Sequence, residues 1–336
     1  MPTEPSDYGK LGHQYYVWLD NQGSGEAEIY CDRVQSFEPT TTIGLEKSYE
    51  LGRKGPTGSS EDVPDVRVTW EENWVKWEQG LYQAGKVVAS DTSFNLGDLL
   101  DNDDVVVYLA ASNSDGTFTH EYVFDQSAIS ELALTWRVGS PITCRWTREA
   151  VNGRIYRQGS LTHTSRGVLD DASDGSINAK DARLFIYTSG CTPAASDRVY
   201  RLQGFDVSAR FQNFSVKEIG RRDKVGSLAD VPDVTMSLDI QPGDDQPLDR
   251  FFNDTGTYID LMVPAAKDAL IRIYDPGETE ASVVLGAIHL ENLKPSGTTP
   301  VRAQVRGLAT ARVSLEVTKE ETTDTSGMIC YVGDLA

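Results

Sequence analysis

The four histidines, His13, His120, His163 and His289, are the side chains best suited to acid–base or metal chemistry, and their spacing supports neither. None lies in an HExxH arrangement, which would set two ring nitrogens on one helix face beside a general base. Ser160 and Ser165 flank His163, but a nucleophile–base pair needs spatial contact and a third group to orient the base. No GxSxG elbow, Walker loop or GxGxxG accompanies them. Each histidine therefore reads as exposed, or as a hydrogen-bonded structural residue. The cysteines, Cys31, Cys144, Cys191 and Cys330, form no CxxC and no close pair. They read as buried or half-buried thiols of a reducing compartment, not as zinc ligands. Of the acidic clusters, Asp101, Asp103 and Asp104 have no ligand spacing. Asp170, Asp174, Gly175 and Asp181 match positions one, five, six and twelve of a calcium loop, but Ala172 occupies position three and breaks it. A solvated acidic linker accounts better for Asp170, Asp171 and Asp174. No cofactor and no metal are expected.

The elements that would position any site belong to a chain of 336 residues, long enough for two ordinary domains. Apolar content is 39% with aromatics spread throughout, which marks a globular chain. There is no run of 18 apolar residues, and the polar opening MPTEPSDYGK has no signal-peptide core. The expectation is a non-membrane protein that is not exported by the general secretory route. The formal net charge is −20, which repels phosphate backbones and anionic lipid and argues against specific nucleic-acid binding. The acids are 31 Asp against 20 Glu, and the bases 20 Arg against 11 Lys. Short acids and few lysines suit a high-salt interior, so a halophilic host is an expectation.

The chain repeats itself. Shifted against itself by half its length, an offset of 168, it sets Arg33, Gln35 and Phe37 on Arg201, Gln203 and Phe205. Glu50, Gly52, Arg53, Gly58 and Ser59 fall on Glu218, Gly220, Arg221, Gly226 and Ser227. The run Asp62, Val63, Pro64, Asp65, Val66 falls on Asp230, Val231, Pro232, Asp233, Val234. Between 33 and 69 this gives 13 identities in 37 positions. Past residue 70 the offset falls to 152, so the first half carries about 16 extra residues near 73–92, and the register returns at Gly139 and Gly307. The expected division is 1–165 and 166–336, two copies of one mostly-β domain.

Tyr15–Leu19 and Leu184–Tyr187 read as opening strands, and 27–38 and 195–206 as second strands. The glycine-rich stretches 52–62 and 220–230 read as long loops or hairpin tips. Val66–Trp70 and Val234–Leu238 alternate with period two, as half-buried strands do. Short helices are expected at 95–101 and 246–253, the first capped by Asn95 and the second by Asp245. The stretches 104–111, 133–148, 257–264 and 300–317 supply further strands. Each unit is thus a β-sandwich or small barrel with one short helix and a long loop. Trp70, Trp74, Trp77 and Leu81 share helical spacing, which predicts an amphipathic helix packed in a core or subunit interface, with a sugar-binding platform as the competing reading.

Glu50, Gly52, Arg53, Gly58, Ser59, Asp62, Pro64 and Asp65, with Glu218, Gly220, Arg221, Gly226, Ser227, Asp230, Pro232 and Asp233, are the residues both halves keep around the loop. They shape a backbone and supply charge pairs, with no nucleophile or base among them. Such a loop suits docking against a neighbouring copy. Tandem similar units suit a ring, in which three chains supply six positions. On this architecture, duplication and loop position, the chain resembles siphovirus major tail proteins with two tail tube domains per chain. The resemblance covers most of the chain. It implies a non-enzymatic virion subunit, made in the host cytoplasm. Joined to the acidic composition, it extends to the tailed viruses of haloarchaea. Its rings would be trimeric and stacked into a tube, with other tail proteins at the tube ends. The viral genome would pass through the lumen without specific binding. A negative lumen would let DNA slide. The competing readings are a baseplate, connector or surface β-sandwich of a virion, and a carbohydrate-binding or carbohydrate-active protein. Paired carboxylates for glycoside hydrolysis could come from anywhere among 51 acids, but a duplicated domain would then hold two sites or show one decaying.

Overall fold

The computed structural model describes residues 15–22, 27–31, 33–43, 45–49, 56–61, 64–102, 104–112, 117–157, 161–163, 177–188, 190–216, 226–229, 232–241, 252–254, 259–264, 267–276, 283–296, 301–302, 310–318 and 327–334. The first half runs β1 (Tyr15–Asn21), β2 (Ile29–Tyr30), β3 (Val34–Thr42), β4 (Leu45–Tyr49), β5 (Pro56–Glu61), β6 (Asp65–Asn73), α1 (Glu78–Gln83), β7 (Ser93–Asn95), α2 (Leu96–Leu100), β8 (Val105–Ser112), β9 (Phe118–Arg137) and β10 (Thr143–Arg157). The second half runs β11 (Ala182–Thr188), β12 (Leu202–Arg210), β13 (Asn213–Val216), β14 (Gly226–Ala229), β15 (Asp233–Ile240), β16 (Phe252–Asp254), β17 (Ile259–Pro264), β18 (Lys267–Tyr274), β19 (Val284–Pro295), β20 (Val301–Arg302), β21 (Thr310–Val317) and β22 (Met328–Val332). The protein is mostly β, as its sequence predicts.

All described ladders are antiparallel. In the first half the strand order is β3-β6-β10-β9-β8-β1, and in the second β12-β15-β21-β19-β18-β11. The repeat therefore extends to the hydrogen-bond register. Val34 pairs with Glu72 and Thr42 with Asp65; at the equivalent positions of the second half Leu202 pairs with Ile240 and Arg210 with Asp233. A bulge interrupts both ladders at the same place, between Val34 and Ser36 and between Leu202 and Gly204. The glycine-rich stretches are hairpins in both halves, β4–β5 and β13–β14, with Leu45 opposite Glu61 and Asn213 opposite Ala229.

Alternation explains the strands. Val66, Val68, Trp70 and Glu72 point inward from β6, and Val234, Met236, Leu238 and Ile240 from β15. Every residue of β8 is buried because both its faces are covered. One face gives Val105, Val107 and Leu109 to the main core, and the other gives Val106, Tyr108 and Ala110 to a smaller aromatic cluster with Tyr16, Trp18 and Phe118. The main core draws Trp70, Leu134, Trp136 and Trp146 from one half and Phe205, Met236, Leu238 and Leu315 from the other. The core does not divide where the ladders repeat.

Several local expectations need correction. Trp70, Trp74, Trp77 and Leu81 are all buried, but they do not share a helix. Trp70 lies in β6, Trp74 and Trp77 lie in the connection after it, and α1 begins only at Glu78. The alternation that carries β6 to Asn73 overrides the helical spacing. The second strand of the first half breaks into β2 and β3 around Cys31, and residues 195–197 form a 3-10 turn ahead of β12. The helix expected at 95–101 is α2. Asn95 caps it reciprocally with Asp98, at 3.0 and 2.9 Å. At its counterpart Phe252–Asp254 is a strand, and 246–251 and Asp245 lie outside the described residues.

Candidate self-assembly interface

The two halves meet strand to strand. β9 runs 20 residues, more than β8 can pair. Its far end takes β12 as a new neighbour, pairing Arg137 with Gly204, Trp136 with Phe205, Thr135 with Asp206, Leu134 with Val207, Leu132 with Ala209 and Glu131 with Arg210. One face of this junction is apolar. Trp136 stacks on Phe205 with centroids 4.3 Å apart, and Val207 and Ala209 are buried beside Leu134 and Leu132. Gly204 is required here, since a Cβ would lie 2.7 Å from the Trp136 carbonyl oxygen. The other face is ionic. The Arg137 guanidinium donates to the Asp206 carboxylate at 2.6 Å, and Arg312 approaches Asp206 and Asp239 at 3.8 and 3.9 Å. Glu131 lies 3.3 Å from Arg145 and 3.5 Å from Arg210.

A second contact clasps the halves. The extra segment of the first half carries Trp74, Trp77 and α1 and leads into β7, which pairs with β22 through Phe94 and Cys330. Trp77 packs edge-on against Trp74 and Phe94 at 5.5 Å. Both tryptophans press on Gly286 of β19, where a Cβ would stand 3.0 to 3.1 Å from their rings.

The junction is heterologous, because β9 of one unit meets β12 of the next, and its mates are left open. Among the described strands, β3, the counterpart of β12, pairs only with β6, and β20 pairs only with β21. β3 lacks the cover its counterpart has. Phe205, Val207, Ala209 and Phe211 are buried, whereas Phe37 is half-buried, Pro39 and Thr41 are exposed, and Ile43 is 54% exposed.

The sequence-predicted interface residues fall around the hairpins. Gly58 and Ser59 lie in β5, and Gly226 and Ser227 in β14. Pro64 and Pro232 immediately precede β6 and β15, with Asp65 and Asp233 exposed at the strand starts. Glu50, Gly52, Arg53, Asp62, Glu218, Gly220, Arg221 and Asp230 lie outside the described residues. The junction residues Glu131, Thr135, Trp136 and Arg137 were missed, because β9 has no signal separating the part that pairs within its unit from the part that reaches the next. The pair Phe37/Phe205 stands in the repeat and marks the strand that docks.

The described histidines are structural in setting. His163 is buried, stacked on Trp18 at 4.3 Å, and hydrogen-bonded to buried Glu121 and, at 2.9 Å, to Glu28. Burial opposes its charge, but the hydrogen bond to Glu121 and the nearby charges of Glu28 and Glu121 outweigh that and raise its pKa. His289 lies 3.8 Å from Asp268, and His120 contacts Thr119; His13 is outside the described residues. Asp181 serves its own turn, accepting from the Asn178 N–H at 3.1 Å. Among the described residues no group of three metal-ligating side chains converges. Cys31, Cys144 and Cys330 are buried, Cys191 is exposed, and no two of them are joined in a disulfide. Burial pushes the Cys144 and Cys330 thiols up. No helix among the described residues is long and apolar enough to cross a membrane. A cleft of about 220 Å³ beside the junction gathers Lys180, Arg183, Arg198 and Arg201.

No family model matches this chain, and no curated protein does. Among solved structures it is similar to a chain of the anti-feeding prophage (AFP) baseplate determined by cryo-EM, 6-fold symmetrised. The identity is 8% and the TM-score 0.32, over 45% of this chain and 97% of that one. Likeness at that level does not say what the protein does.

Proposed function

We propose that this protein is a non-enzymatic virion subunit that builds the tail tube of a long-tailed virus from stacked rings. The observation that supports the reading is the heterologous junction between β9 and β12. A contact of that kind joins one end of a unit to the opposite end of the next, so it propagates until a ring closes. Two such units in one chain, repeated to the level of register and bulge, make three chains a ring of six equivalent positions. The strongly negative charge suits a channel from which DNA must be released. The hairpins β4–β5 and β13–β14 stand at the same place in each half, as elements contacting an adjacent ring would. Electron microscopy of the purified full chain tests the proposal. Rings or tubes with threefold or pseudo-sixfold end views are expected. A protein that stays monomeric at high concentration across salt conditions overturns it.

A further inference from the structure

We infer that the open edge of β3 pairs antiparallel with β20 of a second copy of this chain, in a register that sets Glu38 opposite the second copy's Arg302. The inference rests on the self-assembly reading above and gives that contact its residues.

The register follows from ladders already described. Cys144 pairs with Glu72 on one side and Leu134 on the other. Ala311 pairs with Ile240, the repeat counterpart of Glu72, and on its other side with Val301. Cys144 and Ala311 are thus equivalent, and so are Leu134 and Val301, at an offset of 167, so the ladders correct by one residue the offset of 168 that Gly139 and Gly307 suggest here. One step along, Thr143 pairs with Thr135 and Thr310 with Arg302, which makes Thr135 and Arg302 equivalent. Within the chain Thr135 pairs with Asp206, and Asp206 is the repeat counterpart of Glu38. Copying the junction between chains therefore places Glu38 opposite Arg302 and Pro39 opposite Val301.

Three observations favour a second copy as the occupant. The edge continues an interface the chain already makes with itself. The cross-strand pair is oppositely charged, a favourable pairing on a sheet face. Pro39, Thr41 and Ile43 are exposed where their counterparts Val207, Ala209 and Phe211 are buried at the internal junction: Ile43 is 54% exposed where Phe211 is 5% exposed. Pro39 removes one donor, which costs at most one ladder bond and discourages other strands from adding to the edge. The two kinds of junction also differ. The clasp of Trp74 and Trp77 on Gly286 belongs to the extra segment, which the second half lacks, so contacts between chains go without it and open before contacts within a chain.

Paired cysteines test the register. Opposed residues in an antiparallel ladder stand within disulfide reach. A Cys191→Ser background removes the exposed native thiol. In it, Glu38→Cys with Arg302→Cys should give, on mild oxidation, a non-reducing gel ladder of whole-chain multiples. Either cysteine alone should give none. Should that variant misfold, charge reversal decides: Glu38→Arg should weaken ring formation several-fold, and adding Arg302→Glu should restore it. Ile43→Asp should lower assembly while leaving the thermal midpoint of the monomer unchanged. Rings seen without a ladder or a charge-swap rescue would overturn this register and leave the tube reading standing. Absence of any ring from the native chain would remove both.

Discussion

Arg33 and Arg201, counterparts in the two halves, both hold left-handed backbone, with φ of 59° and 58°. Each turns the chain into its strand and offers its carbonyl to an equivalent partner, Asn73 N–H at 3.2 Å in one half and Gln241 N–H at 3.1 Å in the other. A non-glycine residue there stores about 1 kcal/mol or more. Both halves keep this turn although their sequences have largely diverged.

Replacing that residue separates backbone from side chain. Arg201→Gly should leave stability unchanged or raise it by up to about 1 kcal/mol, since glycine adopts positive φ freely. Arg201→Val should cost more than about 1 kcal/mol, because branching at Cβ disfavours the region. Urea midpoints compare the two, and equal losses would show that the guanidinium, not the turn, matters for folding.

The clasp predicts how the tryptophans respond. Trp74 and Trp77 are each 1% exposed against Gly286. Trp74→Ala should cost about 3–5 kcal/mol, as large core truncations do. Gly286→Val should cost about 1–3 kcal/mol by overpacking. Denaturant titration measures both. Trp74→Ala losing sugar affinity at full stability would instead favour the carbohydrate reading.

The mostly-β character and the repeat were legible because hydrophobic alternation and identity at a fixed offset can be read along the chain without knowing what packs on what. Asn95 was legible as a cap because the residue that satisfies it lies three positions away. The tryptophan stripe misled, since Trp70 obeys a strand's period of two while Trp74 and Trp77 answer to Gly286, far off in the second half. The docking of β12 on β9 was illegible for a similar reason. Nothing within Glu131–Arg137 distinguishes a strand paired to its own unit from one paired to the next. Recurrence singles out the loop residues Arg53 and Arg221, and it equally marks Phe205 on the docking strand β12 and Phe37 on its counterpart β3.

His163 sets a pH dependence. Burial works against its charged form, yet Glu121 and Glu28 raise its folded pKa above the ordinary 6.5. Asp20, beside it, is also raised, chiefly by burial and then by Glu28. In each case the folded state binds the proton more tightly than the unfolded state. The stability that His163 contributes is present in full below pH 6.5 and is lost as pH rises through its folded pKa. Thermal midpoints should fall from about pH 6 to about pH 8, and His163→Gln should flatten that slope. An unchanged slope in the variant would assign the dependence elsewhere.

Salt should act on two opposing sets of charge. The Arg137–Asp206–Arg312 cluster at the junction weakens as salt screens it, and with half-exposed partners it contributes no more than about 1 kcal/mol. Self-repulsion of a chain with formal charge −20 acts over the whole surface and is screened too, as the Debye length falls from about 10 Å at 0.1 M to about 3 Å at 1 M. Repulsion is the larger effect because it involves carboxylates spread over the whole chain, while the cluster involves a few. The thermal midpoint should therefore rise between about 0.1 M and about 2 M potassium chloride, and Arg137→Met should raise it further at high salt relative to low. A flat or falling midpoint in the native chain would mean that its ion pairs outweigh its net charge, and would remove the case for a high-salt host.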